Sequence, residues 1–155
     1  MSRTPEPVAR FLKGRRFAVA GVSRSGADAA NHVFRKLVAA GFDAVPLNPN
    51  ATEAEGVPCY PSLRDVPGSV DGVVIAAAPS VAPDIVRQCA ERGVKHVWFH
   101  RSFGQGSVSE EAVRLCVEHG IEPIVGGCPL MYCEPVDIAH KCMRWVLGWT
   151  SRVPQ

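Results

Sequence analysis

At 155 residues the chain has the length of one compact domain, able to bury a core without disulfides, metals or an obligate partner. Lys and Arg number 17 against 15 Asp and Glu, a formal charge of +2 with neither sign in blocks, which excludes the basic footprint of a nucleic-acid-binding protein. No apolar run approaches the roughly 20 residues of a membrane span, and Met1 to Arg16 has no apolar signal core, so a soluble, cytoplasmic protein without membrane contact is expected.

Met1 to Pro7 reads as a frayed end. Phe17–Ala20 is a short apolar run closed by Gly21, the pattern of a strand buried on both faces. Beyond it, Ala30, Val33, Phe34, Leu37 and Val38 recur at helical spacing and predict a helix that packs by that stripe. Asp43–Leu47 is a second strand. The interval from Pro49 to Asp71, interrupted by Pro58, Pro61 and Pro67, predicts one short irregular element in place of a helix. Gly72–Ala76 is a third strand, followed by a helical stripe of Val81, Ile85, Val86 and Cys89. Val94–Phe99 is a fourth strand. Val108, Ala112, Leu115 and Cys116 mark the next helix, begun by Ser107 and Glu110 at capping-box spacing, and Ile121–Val125 is the fifth strand.

Three helix exits, "LVAAGFDAV", "CAERGVKHV" and "CVEHGIEPI", place Gly41, Gly93 and Gly120 where a left-handed residue ends a helix. A last amphipathic segment, Val136 to Trp149, carries Ile138, Ala139, Cys142, Met143, Val146 and Leu147 on one side, with Pro135 at its first turn. It is expected to cover the sheet; docking to a second copy of the chain, as a homodimer, is its alternative use. Strands alternating with helices predict a three-layer α/β fold: a mostly parallel five-stranded sheet with helices on both faces and right-handed crossovers. The whole of 1–155 reads as one domain, with a core of about 11–131 and the terminal helix at about 135–149.

Six cysteines, Cys59, Cys89, Cys116, Cys128, Cys133 and Cys142, read as buried free thiols, because several sit on apolar helix faces and no C-x-x-C pair occurs. The spacing of Cys128, Cys133 and His140 matches no zinc module, so no metal is expected.

The candidate site is the turn after the first strand. Gly21 permits a tight exit, Ser23 and Ser25 offer hydroxyls, Arg24 offers a cation, and the next helix points its positive end there, a combination suited to a phosphate. No Gly-Lys-Ser/Thr follows, so it is not a triphosphate-hydrolase loop. The second strand ends "VPLNPN", with Asn48, Pro49 and Asn50 where an NAD site wants a carboxylate for its ribose. That points to a phosphate-bearing adenine nucleotide of another kind. Small residues in "AAAPS", Ala76 to Ser80, would let a ligand approach the backbone after the third strand.

"VAGVS", "LNPN", "CYPSL", "AAAPS" and "GGCPL", in that order between about Phe11 and Met131, resemble the stand-alone CoA-binding domain proteins of bacteria. Those are similar in turn to the N-terminal domain of the succinyl-CoA synthetase α-subunit. The resemblance implies a Rossmann-like sheet that binds coenzyme A, or an acyl-CoA, with no chemistry of its own. By position it implies Gly21, Val22, Ser23 and Arg24 at the pyrophosphate and Asn48, Pro49 and Asn50 along the adenosine. Tyr60 would be a stacking or packing wall, and Ala77, Ala78 and Pro79 a floor under nucleotide and pantetheine. A neutral bend also suits the 3′-phosphate of CoA, which a carboxylate would repel. Two departures stand out: "FHRSFGQG" puts His100 and Arg101 where an apolar turn is expected, read as a solvated loop or an additional anion site, and the C-terminal segment runs past the shared domain. The alternatives are an NAD(H)-binding redox-responsive domain and an enzyme acting on a thioester through Cys128 or His100.

Overall fold

A computed structural model describes residues 4–101, 106–133 and 138–148, without the side chains of 138, 139, 147 and 148. The elements, in chain order, are α1 (Glu6–Phe11), β1 (Arg16–Ala20), α2 (Ala29–Ala39), β2 (Asp43–Leu47), β3 (Glu53–Ala54), β4 (Val57–Pro58), β5 (Gly72–Ile75), α3 (Ala82–Glu91), β6 (His96–Phe99), α4 (Glu110–Glu118), β7 (Glu122–Val125) and α5 (Ile138–Gly148). Five of the strands form a wholly parallel sheet in the order β2-β1-β5-β6-β7. Chain order therefore reverses between β1 and β5, the switch point at which doubly wound folds open a crevice beyond the strands' carboxyl ends.

Each face of the sheet has its own core. On one, Phe17, Val19, Val74, Trp98 and Ile124 meet α1, α2 and the segment Cys128–Cys133. On the other, Ala18, Val73, Ile75, Val97 and Phe99 meet α3, α4 and the loop around Leu63. Alternate residues of one strand thus enter opposite layers, which is why these runs are apolar throughout.

Gly41, Gly93 and Gly120 end α2, α3 and α4 at positive φ, each with the same pair of bonds, such as Phe42 N–H to Leu37 O and Gly41 N–H to Val38 O at 3.0 Å. Other details correct the expectations. The stretch read as frayed enters α1 at Glu6, with Met1–Arg3 outside the described residues. Val8 and Phe11 are buried, and Phe11 stacks on Phe17 at 4.7 Å with Trp98 edge-on at 5.4 Å. Val38 is 50% exposed, and Asn31 belongs to the buried face of α2. The capping box does not form. Ser109 is the N-cap of α4, accepting from the Ala112 N–H, while Ser107 is buried and donates to the Ala77 carbonyl at 2.6 Å.

The Pro49–Asp71 interval holds two short elements, the β3–β4 hairpin and a 3₁₀ turn at Leu63–Asp65. Helix α5 rests on the 3₁₀ turn Pro129–Met131 more than on the sheet. Met143 packs against the core, Arg144 donates to the Met131 carbonyl and lies 5.0 Å from the Tyr132 ring, but Cys142 is exposed and Val146 is 48% exposed. Pro135 and Trp149 lie outside the described residues.

At the switch point Gly21 has φ 102°, and a Cβ there would fall on the Ala76 carbonyl oxygen, with the carbonyl carbon at 3.0 Å. The β1 and β5 exits touch backbone to backbone. Gly21→Ala is therefore expected to lower the melting temperature by about 4 °C or more. A Tm within about 1 °C of the parent would show that the two turns are not in contact.

All six cysteines are free, and Cys142 alone is exposed. Burial pushes the Cys128 and Cys116 thiols up to about 12 and Cys133 up to about 11, so they stay protonated and unreactive at neutral pH. In the native protein at pH 8 a thiol reagent should modify Cys142 rapidly and the others only after unfolding. Fast native modification of two or more thiols would contradict the buried placement.

Candidate functional site

The turns leaving β1, β2 and β5 converge on one edge of the sheet. The first is shaped by a buried amide. Asn31 is fully buried near the start of α2; its Oδ1 accepts the Ser23 N–H at 2.9 Å, and its Nδ2 donates to the Ser23 carbonyl at 2.8 Å and to Glu55 Oε1 at 2.7 Å. The Ser23 hydroxyl, itself 2.8 Å from Ser25 Oγ, donates weakly to the same Oδ1. An amide in a core is tolerated only when so satisfied, since an unpaired one costs about 1–3 kcal/mol.

Glu55 extends the clasp. It occupies the first position of the two-residue β3–β4 turn at φ 53°, followed by Gly56 at φ 76°, as a type I′ turn demands. Arg35 grips it through Nε at 2.9 Å and Nη2 at 2.7 Å, and Nη2 also reaches the Gly26 carbonyl. The Arg35 guanidinium, helped by the Asn31 amide, holds the Glu55 carboxyl below the usual carboxylate range. With the folded-state value depressed, the stabilisation from this group is present above that range and fades as pH falls through it.

The second turn is braced in the same manner. Asn48 Nδ2 donates to the Val22 carbonyl at 2.9 Å and its Oδ1 accepts from the Asn50 N–H at 2.8 Å, so its side chain ties the β2 exit to the β1 exit. Tyr60 exchanges backbone bonds with Pro46 and Asn48 and packs into the second core, beside and not within the open space.

Two cavities open over these turns. One, of about 360 Å³, lies between the β1, β2 and β5 exits, with Gly21, Asn48, Pro49 and Ala77 in its lining and Val81 and Ile85 as apolar walls. Its polar members are largely engaged: Asp84 accepts from Gln88 Nε2 at 2.8 Å, Gln88 Oε1 accepts the Leu63 N–H, and Arg64 pairs with Glu91. The second, more open and of about 590 Å³, is lined by Arg24, Pro49, Asn50, Thr52 and Glu53 among others. Pro49 and Pro61 belong to both, so the two form one groove with an apolar slot and a polar mouth. Arg24 is exposed there and makes no ion pair among the described residues.

The structure thus gathers Gly21, Arg24, Asn48, Pro49, Asn50 and Ala77 on one groove. Val22 is wholly buried and contributes its carbonyl, Ser23 belongs to the clasp, Ala78 is exposed on the third turn, and Pro79 lines a separate cavity. Sequence reasoning missed Asn31, Glu55, Arg35 and Pro61. The one available signal was Asn31, a polar residue beside Ala30 on an apolar helix face.

The groove supplies a cation, main-chain groups and an apolar slot, and neither Cys128 nor His100 is among its lining residues. Cys128 is 3% exposed with its thiol pushed up to about 12, and burial lowers His100 below the usual imidazole range. Among the described residues no His, Cys, Asp and Glu group gathers as a metal site, and no helix is long and apolar enough to cross a membrane.

Comparison with known proteins follows this geometry. The chain is 31% identical over 139 residues to the alpha subunit of an ADP-forming acetate–CoA ligase II of Pyrococcus furiosus, covering 89% of this chain and only 27% of that subunit. It is 28% identical over 132 residues to YneT of Bacillus subtilis, covering 85% of this chain and 90% of that protein. Among solved structures, Prb, a protein redesigned for binding, superposes with a TM-score of 0.75 at 26% identity, over 95% of this chain and 94% of the other. The model of the CoA binding domain matches residues 15–134, the span from β1 past the turn after β7, and the chain belongs to that family of Rossmann-like CoA-binding domains.

Proposed function

We propose that the chain binds coenzyme A, or an acyl-CoA, in the groove across the β1/β5 switch point and does no chemistry on it there. The observation that carries this reading is that Arg24, without an ion pair among the described residues, stands beside a neutral Asn48-Pro49-Asn50 bend, at the place where a nicotinamide dinucleotide site would carry a carboxylate. The family match supports the same ligand.

In this reading the Gly21–Arg24 turn meets the pyrophosphate. The N–H groups of Arg24 and Ser25 donate to nothing among the described residues, and the positive end of α2 lies behind them. Arg24 supplies charge to the phosphates. Pro49, Pro61 and Ile85 offer the apolar slot for the adenine, with Asn48 and Asn50 along the ribose. Ala77, Ala78 and Pro79 are small or rigid enough to let the pantetheine run over the β5 exit. Tyr60 serves by bracing the second turn. Six free thiols suit a reducing compartment such as the cytoplasm.

Calorimetry on the purified chain should give tighter binding for CoA than for NADH, and about tenfold weaker binding for 3′-dephospho-CoA. Arg24→Ala should weaken CoA by a similar factor while leaving the Tm unchanged. A preference for NADH, or no heat with CoA at all, would overturn the reading.

A further inference from the structure

The apolar slot of the groove keeps one side-chain oxygen that no neighbour engages. Asp84, exposed on the first turn of α3, belongs to the slot's lining. Its Oδ2 accepts from Gln88 Nε2 at 2.8 Å, while its Oδ1 accepts nothing among the described residues. The other polar side chains of that lining are engaged: Asn48 with Val22 and Asn50, Ser62 with Asp65, and Arg64 through Nε and Nη2 with Glu91.

Gln88 fixes how Asp84 is held. It is 6% exposed, and its Oε1 accepts the Leu63 N–H at 2.8 Å, a backbone donor that only an oxygen can meet. The Gln88 amide therefore cannot be turned round, and its Nε2 is the atom that braces the carboxylate. Oδ1 is left over at the edge of a slot walled by Pro49, Pro61, Val81 and Ile85, a setting that takes the flat face of a base and tests one group on its edge.

An acceptor so placed favours a base that carries an N–H there. In adenine joined to ribose the 6-amino group is the sole N–H donor. Hypoxanthine has an oxygen at that position, which would stand against the carboxylate without a proton between them. Guanine has the same oxygen, and its N1–H and 2-amino pair would need both oxygens of a carboxylate, of which Gln88 already holds one. Since the ribose is assigned to Asn48 and Asn50 at the β2 exit, a carboxylate on α3 falls to the base.

We propose that Asp84 is the base-selecting residue of the slot, its Oδ1 accepting from the 6-amino group of an adenine, so that the chain takes adenine nucleotides and rejects their 6-oxo counterparts. That the adenine belongs to a CoA rests on the reading above; the choice of base does not.

Adenosine and inosine, titrated while the Ile85 methyl signals are followed by NMR, test the base alone. A saturable shift with adenosine, and about tenfold weaker binding of inosine, are expected. No shift with adenosine, or equal affinities, overturns the proposal. Calorimetry then compares CoA with its deaminated form, in which oxygen replaces the 6-amino group, and CoA should bind about tenfold tighter. In Asp84→Asn the new amide oxygen takes the Gln88 bond and its NH₂ is left for the slot, so the acceptor becomes a donor and the order should reverse in favour of the deaminated form. Asp84→Ala, the second variant, should erase the preference. Asp84 is exposed, so both variants are expected to fold. A carboxylate that served only the start of α3 would leave the parent's order intact in both, and that result overturns the proposal. Selective binding of adenosine with no heat from CoA would uphold the base selection and sink the CoA reading instead.

Discussion

Everything at the carboxyl edge of the sheet depends on how closely β1 and β5 leave it. The Gly21 α-carbon sits against the Ala76 carbonyl with no room for a side chain. That contact sets the width of the crevice at the point where strand order reverses, and the turn it begins is then held by Asn31, which binds both the donor and the acceptor of Ser23. The arrangement is stiff because a buried amide with all its valences used has no second conformation of comparable energy.

The opposite edge of the sheet serves another purpose. There Asp71 accepts the N–H groups of Arg15 and Arg16 at 2.8 and 3.0 Å, and Arg10 clamps Glu122 through Nε and Nη2. These backbone bonds draw the Asp71 carboxyl below its usual range, and the Arg10 guanidinium does so for Glu122. The glycines that end α2, α3 and α4 return the chain to this edge. Charge pairs thus fasten the end where strands begin, while at the end where they finish the Arg35–Glu55 pair stands beside open space and an Arg24 with no ion pair among the described residues.

Much of this was legible in the residues. The five strands were readable to within a residue or two, because runs buried on both faces admit no polar interruption, and the glycine exits announced the helix ends. The site's location followed from alternation alone, since a parallel sheet must have a switch point. What escaped reading was long-range. Ser107 and Ser109 are equivalent as capping signals in sequence, and only the Ala77 carbonyl, 30 residues away, claims the first of them. Asn31 stands outside the apolar stripe in sequence, and its role shows only where Ser23 and Glu55 meet it. Glu55 itself gave no sign of a left-handed backbone, which its partner Arg35 makes tolerable. In α5 the stripe was real as a pattern, but a neighbouring 3₁₀ turn, invisible to periodicity, decided which residues it buried.

The contacts that shape the groove end on main-chain atoms: the Ala76 carbonyl packed against Gly21, the Val22 carbonyl, and both backbone polar groups of Ser23. Its contour is therefore written in main chain, which every residue supplies alike. Such a mould tolerates wide drift among the side chains that face the ligand, consistent with a shared fold at 26% identity. Selectivity is then free to change one rim residue at a time, without the mould having to be recast.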